Sequence, residues 1–240
     1  DLQVWSERTI ALGGGPRYHT DEGMQAAADF FLTAVELYSE KQRCPADDVM
    51  TVWTNSEIDG ARLDPHTVAM DCLLLLDGGA ETTRTVIART LVNLIAHPGE
   101  WAKLKDGADL TVAVEEFIRY VTPVHNMCRV ATTDYDIAGG TVGKGQQVVL
   151  MYSSANRDPE AFDDPERFDV CRQPNQHLAF GFGTHFCLGA ALARAEIRIF
   201  FEELVRRVDR LALTPGSAPV EMPNAFVYGL RSAQLDFTFA

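Results

Sequence analysis

Two proline breaks frame the most restrictive feature of this chain. Asp64-Pro65 and His97-Pro98 enclose a stretch with no other proline. An aspartate cap followed by proline in the first turn favours helix initiation, and the residue before a proline is pushed out of the helical region. Residues 65–97 therefore predict one helix of roughly 33 residues and about 50 Å, at ~1.5 Å per residue, enough to cross a whole domain. Its centre is apolar (Leu73–Leu76) and is followed by Gly78-Gly79. Two glycines inside a helix cost about 2 kcal/mol relative to alanine, so something must require them.

The flanking pattern is also helical at first. Residues 1–12 form a short amphipathic stretch that stops at Gly13-Gly14-Gly15-Pro16, and Asp21 is the expected cap of a helix running from about Glu22 to Arg43. Shorter helices are predicted near Asp48–Asn55, at Glu100–Lys105 and at Asp109–Tyr120, the last closed by Pro123. Beyond Asn126 the period changes. Met127–Ala131, Tyr135–Ala138 and Gln147–Met151 predict strands, and Arg157–His177 predicts irregular chain. Leu188–Arg210 predicts a long amphipathic helix, followed by strands near Leu211–Leu213, Ala225–Tyr228 and Gln234–Thr238. The expected class is mainly α with small accessory β-sheets.

Composition narrows the partners. With 240 residues and a net charge of −13, the chain repels phosphate backbones, which argues against nucleic acid. No apolar run approaches the ~20 residues of a membrane span, and residues 1–5 lack the basic segment of a secretory signal. No membrane anchor and a cytoplasmic location are the expectations. The five cysteines (Cys44, Cys72, Cys128, Cys171, Cys187) are odd in number, widely spaced and without a CxxC, which excludes a disulfide scaffold and a zinc ribbon.

The chemistry concentrates in Phe180-Gly181-Phe182-Gly183-Thr184-His185-Phe186-Cys187-Leu188-Gly189. A cysteine at a helix start has its thiolate favoured by the dipole and by free backbone N–H groups. Glycines at 181, 183 and 189 let backbone approach a flat partner, His185 can donate to an acidic edge of that partner, and Phe180 and Phe182 can exclude water. A Gly-rich turn before an inert cysteine is the bland alternative. Phe180, Gly183, His185, Cys187 and Gly189 recur together at this spacing by chance in only about one chain in 10⁴.

This segment resembles the haem-binding loop of the cytochrome P450 superfamily. The resemblance implies the C-terminal portion of the cytochrome P450 fold, with haem b (iron protoporphyrin IX) as cofactor and Cys187 as the proximal thiolate metal ligand. It implies cofactor contacts from Phe180, Gly181, His185, Gly189 and Arg129, with His185 and Arg129 beside the propionates. Thiolate ligation pushes electron density onto iron and favours O–O cleavage. Arg129 on its own reads equally as a solvated strand arginine.

Gly78-Gly79-Ala80-Glu81-Thr82-Thr83 resembles the superfamily's oxygen-activation motif, which implies Glu81 and Thr82 as catalytic residues, Glu81 relaying protons. Close packing of two helices at the glycines is the alternative. Glu116 and Arg119 lie three residues apart on one helix face. The superfamily joins such a pair to an arginine in a Pro-Glu-Arg-Phe segment, which implies a structural Glu116–Arg119–Arg167 network through Pro165–Phe168. Val124, His125, Phe226 and Val227 are implied substrate contacts. Pro123–Arg129 and Met222–Leu230 look most like actinobacterial enzymes that hydroxylate sterol side chains.

The resemblance covers residues 1–240 as a single partial domain, with earlier strands and helices of the fold expected upstream. Its implied function is a haem-thiolate monooxygenase that hydroxylates a hydrophobic small molecule of the sterol or steroid class with O2 and electrons from a ferredoxin and ferredoxin reductase. A truncated, non-catalytic haem-binding remnant is the alternative. Arg172, Arg194 and Arg198, near the loop in sequence, are the candidate docking residues for an acidic ferredoxin.

Overall fold

The computed structural model describes residues 2–240 and divides into two compact units, Asp1–Glu81 and Thr82–Ala240. In the first, α1 (Leu2–Thr9) runs into 3-10 turns at Ile10–Gly14 and Pro16–Tyr18, where the glycine–proline run stops regular helix. α2 (Asp21–Arg43) is capped by Thr20 rather than Asp21: the Thr20 hydroxyl accepts from the Gly23 N–H, and Asp21 sits in the first turn, favourable to the helix dipole. α3 (Val49–Asn55) uses Asp48 as its cap. A small hairpin, β1 (Glu57–Ile58) and β2 (Ala61–Arg62), precedes α4 (Pro65–Ala96).

The predicted long helix is present and ends one residue earlier than expected. The Asp64 carboxylate accepts from the His66 and Thr67 N–H groups at 2.9 and 3.1 Å. Phe30, Ala34 and Ala69 form one core of this unit with Trp5, Leu73 and Leu76 against it, and Tyr38, Met50 and Val68 form another.

In the second unit, α5 (Pro98–Lys105) and α6 (Leu110–Val121) follow, α6 capped by Asp109 and closed by Thr122 in the left-handed conformation. β3 (Asn126–Val130) pairs antiparallel with β6 (Gln147–Met151), and β4 (Tyr135–Ile137) with β5 (Gly140–Val142). β5 was not expected, because its glycines read as a break. After α7 (Tyr152–Ala155) the chain is irregular to the cysteine loop, as predicted. α8 (Ala190–Arg207) then gives way to β7 (Val208–Leu213), three residues before the predicted end of helix. β8 (Val220–Glu221) pairs with β9 (Leu230–Ser232), and β10 (Leu235–Phe239) with β7. Residues 225–228 are not a strand; Val227 makes a single bridge to Val124. Phe117, Phe168, Ile197, Phe201 and Leu94 fill the core between α4, α6 and α8.

Candidate functional site

The cysteine loop is built on Gly181 and Gly183, whose φ angles of +71° and +72° lie in the left-handed region that favours glycine. Between them Phe182 is thrown outward, 86% exposed, and Leu188 beside the cysteine is 91% exposed. The turn closes when the Cys187 N–H donates to the Phe180 carbonyl at 2.9 Å, leaving the Cys187 side chain at an exposed surface just before α8. Gly189 has ordinary φ, and a Cβ added there would lie 3.9 Å from Cys187 Sγ. Large apolar side chains are seldom this exposed unless something covers them.

Next to the loop lies an open cleft of about 600 Å³ lined by Arg129, Leu150, Met151, Tyr152, Leu178, Phe182 and His185, among others. Two hydrogen-bond donors suited to carboxylates thus share one apolar cleft with the loop. A single soft sulfur, an apolar apron and paired donors at one edge fit a flat metal macrocycle with acidic substituents. Among the described residues no group of three or more His, Cys, Asp or Glu could hold a metal ion.

Behind the loop, Glu115 takes Arg194 in two hydrogen bonds (2.6 and 2.9 Å) and meets His177 Nε2 at 3.0 Å. Burial alone would raise the Glu115 carboxyl, but these donors outweigh it and hold it at about 2. Arg194 lies 4.5 Å above the Phe180 ring. These residues were missed as a set, because they come from three separate segments.

Glu116 and Arg119 are both completely buried and face each other at 2.7–2.8 Å. Arg119 also donates to the carbonyls of Asn156, Pro165 and Arg167, satisfying irregular backbone that has no ladder partner. The expected third member is corrected. The Arg167 guanidinium is 57% exposed and reaches Asp169 at 3.5 Å, contributing only its carbonyl to the network. Arg172 takes the place, its Nε 3.2 Å from the Glu116 carboxylate, with further bonds to the carbonyls of Asp163, Asp164 and Arg167. Arg172 is therefore also removed from the docking candidates: its side chain is 9% exposed and committed inward. Arg194 is held by Glu115, and Arg198 pairs with Glu202 at 2.7 Å.

Of the implied substrate contacts, Val124, His125 and Phe226 are partly buried. Val227 is fully buried and seals the fold, so its side chain is corrected to core. Burial, then the Arg89 charge, lowers the His125 pKa, favouring neutral imidazole.

In the first unit, Glu81 is 2% exposed and accepts from the Ser6 hydroxyl at 3.3 Å; Thr82, which begins the second unit, is partly buried. Cβ atoms added at Gly78 or Gly79 would meet nothing within 4 Å among the described residues, so tight helix packing is not what keeps them small. One turn before Glu81, Asp77 accepts from the Thr9 hydroxyl at 2.7 Å. Burial raises its carboxyl to about 6, with the Glu81 charge adding to the rise and the Thr9 bond opposing it.

The Asp77 shift sets a pH dependence. A carboxyl whose pKa is higher folded than unfolded binds more protons in the native state, so stability falls as pH rises from about 4 to about 6. Asp77→Asn is expected to gain stability over the parent across that window and to hold the gain above it. Urea unfolding at several pH values checks this; a difference that does not vary with pH rejects it.

The cytochrome P450 family model matches residues 100–237. The chain belongs to the cytochrome P450 family. It is 39% identical over 244 residues to a steroid C26-monooxygenase of Mycolicibacterium smegmatis, covering 99% of this chain and 60% of the relative. A Mycobacterium marinum cytochrome P450 in complex with pseudoionone superposes with a TM-score of 0.89 at 34% identity, over 98% of this chain and 58% of that one. A Bacillus megaterium cytochrome P450 crystallised with testosterone gives a TM-score of 0.83 at 34% identity, covering 96% and 63%. The chain thus spans about 60% of the length of these P450 relatives. The observed mainly helical fold with small sheets agrees with that membership. No described helix is long and apolar enough to cross a membrane.

Proposed function

We propose that the P450 carrying this chain is a cytoplasmic haem-thiolate monooxygenase that hydroxylates a sterol or steroid. The observation that carries it is the exposed Cys187 on a closed glycine turn, set in exposed apolar side chains beside the cleft of Arg129 and His185. Haem b bound there would supply O2 reduction and oxygen insertion into a C–H bond. Cys187 holds the iron, Arg129 and His185 hold the propionates, and Phe180, Gly181 and Gly189 shape the loop against the ring. Glu81, buried beside the Ser6 hydroxyl, and Thr82 are the catalytic residues, with Glu81 relaying protons. Val124, His125 and Phe226 border an apolar substrate. Electrons come from a ferredoxin and its reductase. The sterol assignment draws support from the steroid C26-monooxygenase relative and from the P450 crystallised with testosterone.

Reduction of the full-length protein under carbon monoxide is expected to give the red-shifted Soret band of thiolate ligation. Titration with a sterol is expected to convert low-spin to high-spin haem. A missing red-shifted band overturns the haem-thiolate reading; a normal band without any sterol-induced change overturns only the substrate class.

A further inference from the structure

The two segments assigned to the substrate wall are joined by a short seam. His125 N donates to the Phe226 carbonyl, Tyr228 N to the Pro123 carbonyl and Asn126 Nδ2 to the Ala225 carbonyl, each at 2.9 Å, around the Val124–Val227 bridge. So short a pairing has little stability of its own. Its support is Arg89, on the later half of α4, whose side chain is 10% exposed. Arg89 Nε donates to the Tyr228 carbonyl, and Nη2 donates to the Gly229 carbonyl at 3.1 Å and to the Glu221 carboxylate. The guanidinium carbon also lies over the Tyr228 ring, 3.1 Å from its centroid, and that ring packs on His125 at 4.8 Å.

We propose that Arg89 is a specificity-positioning residue: by clamping Tyr228 and Gly229 it fixes segments 123–126 and 225–228 as one wall of the substrate cavity. The substrate role of that wall rests on the functional reading above. Only a planar fork can hold two successive carbonyls and a carboxylate while stacking on a ring; a lysine ammonium is a point donor and cannot. The outer partner, Glu221, is 61% exposed, so removing Arg89 leaves a solvated carboxylate rather than a buried unpaired charge. The effect is then local to the wall.

The test compares Arg89→Met and Arg89→Lys with the parent in the full-length holoprotein, by amide hydrogen exchange and by sterol titration of the haem spin state. Exchange at the His125 and Tyr228 amides is expected to accelerate about tenfold or more in both variants, with α6 amides unchanged. The sterol dissociation constant is expected to rise about tenfold in both, lysine giving no rescue, while the ferrous–carbon monoxide band stays intact. Unchanged exchange in Arg89→Met overturns the proposal, and so does faster exchange with unaltered sterol affinity. If the parent shows no spin change with any sterol, the substrate reading fails, and the exchange result alone decides the role of Arg89.

Discussion

Cys187→Ala is expected to abolish the red-shifted carbon monoxide band and to release most of the haem, while the polypeptide stays folded. The two effects separate because the side chain is exposed and packs into no core. Truncating an exposed thiol away from core contacts changes stability by about ±0.5 kcal/mol or less. Losing the sulfur assigned to the iron must cost more than the roughly 10–100-fold that removal of an outer-shell partner costs. His185→Gln supplies that comparison, because His185 lies in the adjoining cleft and is assigned a contact to the ring's edge. Absorption spectra of both variants, with urea unfolding as a control, check the ordering. An unaltered Cys187→Ala spectrum removes the basis of the functional reading.

The second large effect is structural. Arg119→Leu is expected to destabilise the second unit by about 3–5 kcal/mol, the usual result of stripping one partner from a buried ion pair. That is a substantial part of the roughly 5–15 kcal/mol by which folded proteins are stable. The loss is large because Arg119 has its donors committed to Glu116 and to three carbonyls of the irregular segment. Glu116 in turn accepts from the Asp169 N–H, Arg172 and Asn175. Arg172→Ala is expected to rank next, and Arg167→Ala to fall within about ±0.5 kcal/mol, since its guanidinium is largely in water. Urea midpoints of the three variants decide this; Arg167→Ala more damaging than Arg172→Ala rejects the assigned network.

That ordering shows where sequence reading stops. Arg167 and Arg172 lie five residues apart in chain without periodicity, so no face could be assigned to either. On α6 the spacing places Glu116 and Arg119 on one face, but that this face is buried follows only from the family resemblance and the structure. Short pairings carry little local signal: β1–β2, β5 and β8–β9 depend on partners that cross turns or distant segments, and the apolar run 225–228 predicts a strand where the structure has a single bridge.

Local chemistry sufficed for the long α4, for the capping role of Asp64, and for the glycine turn that presents Cys187. Caps, proline stops and positive-φ glycines act within a few residues, so they are written directly into the order of side chains. The tertiary structure alone decided that Arg172 faces Glu116, that Val227 is sealed inside, and that Arg89 clamps carbonyls 139 and 140 residues away. The physical reason is that burial and ion pairing depend on which surfaces meet after folding, and an irregular segment carries no repeat from which that meeting can be read.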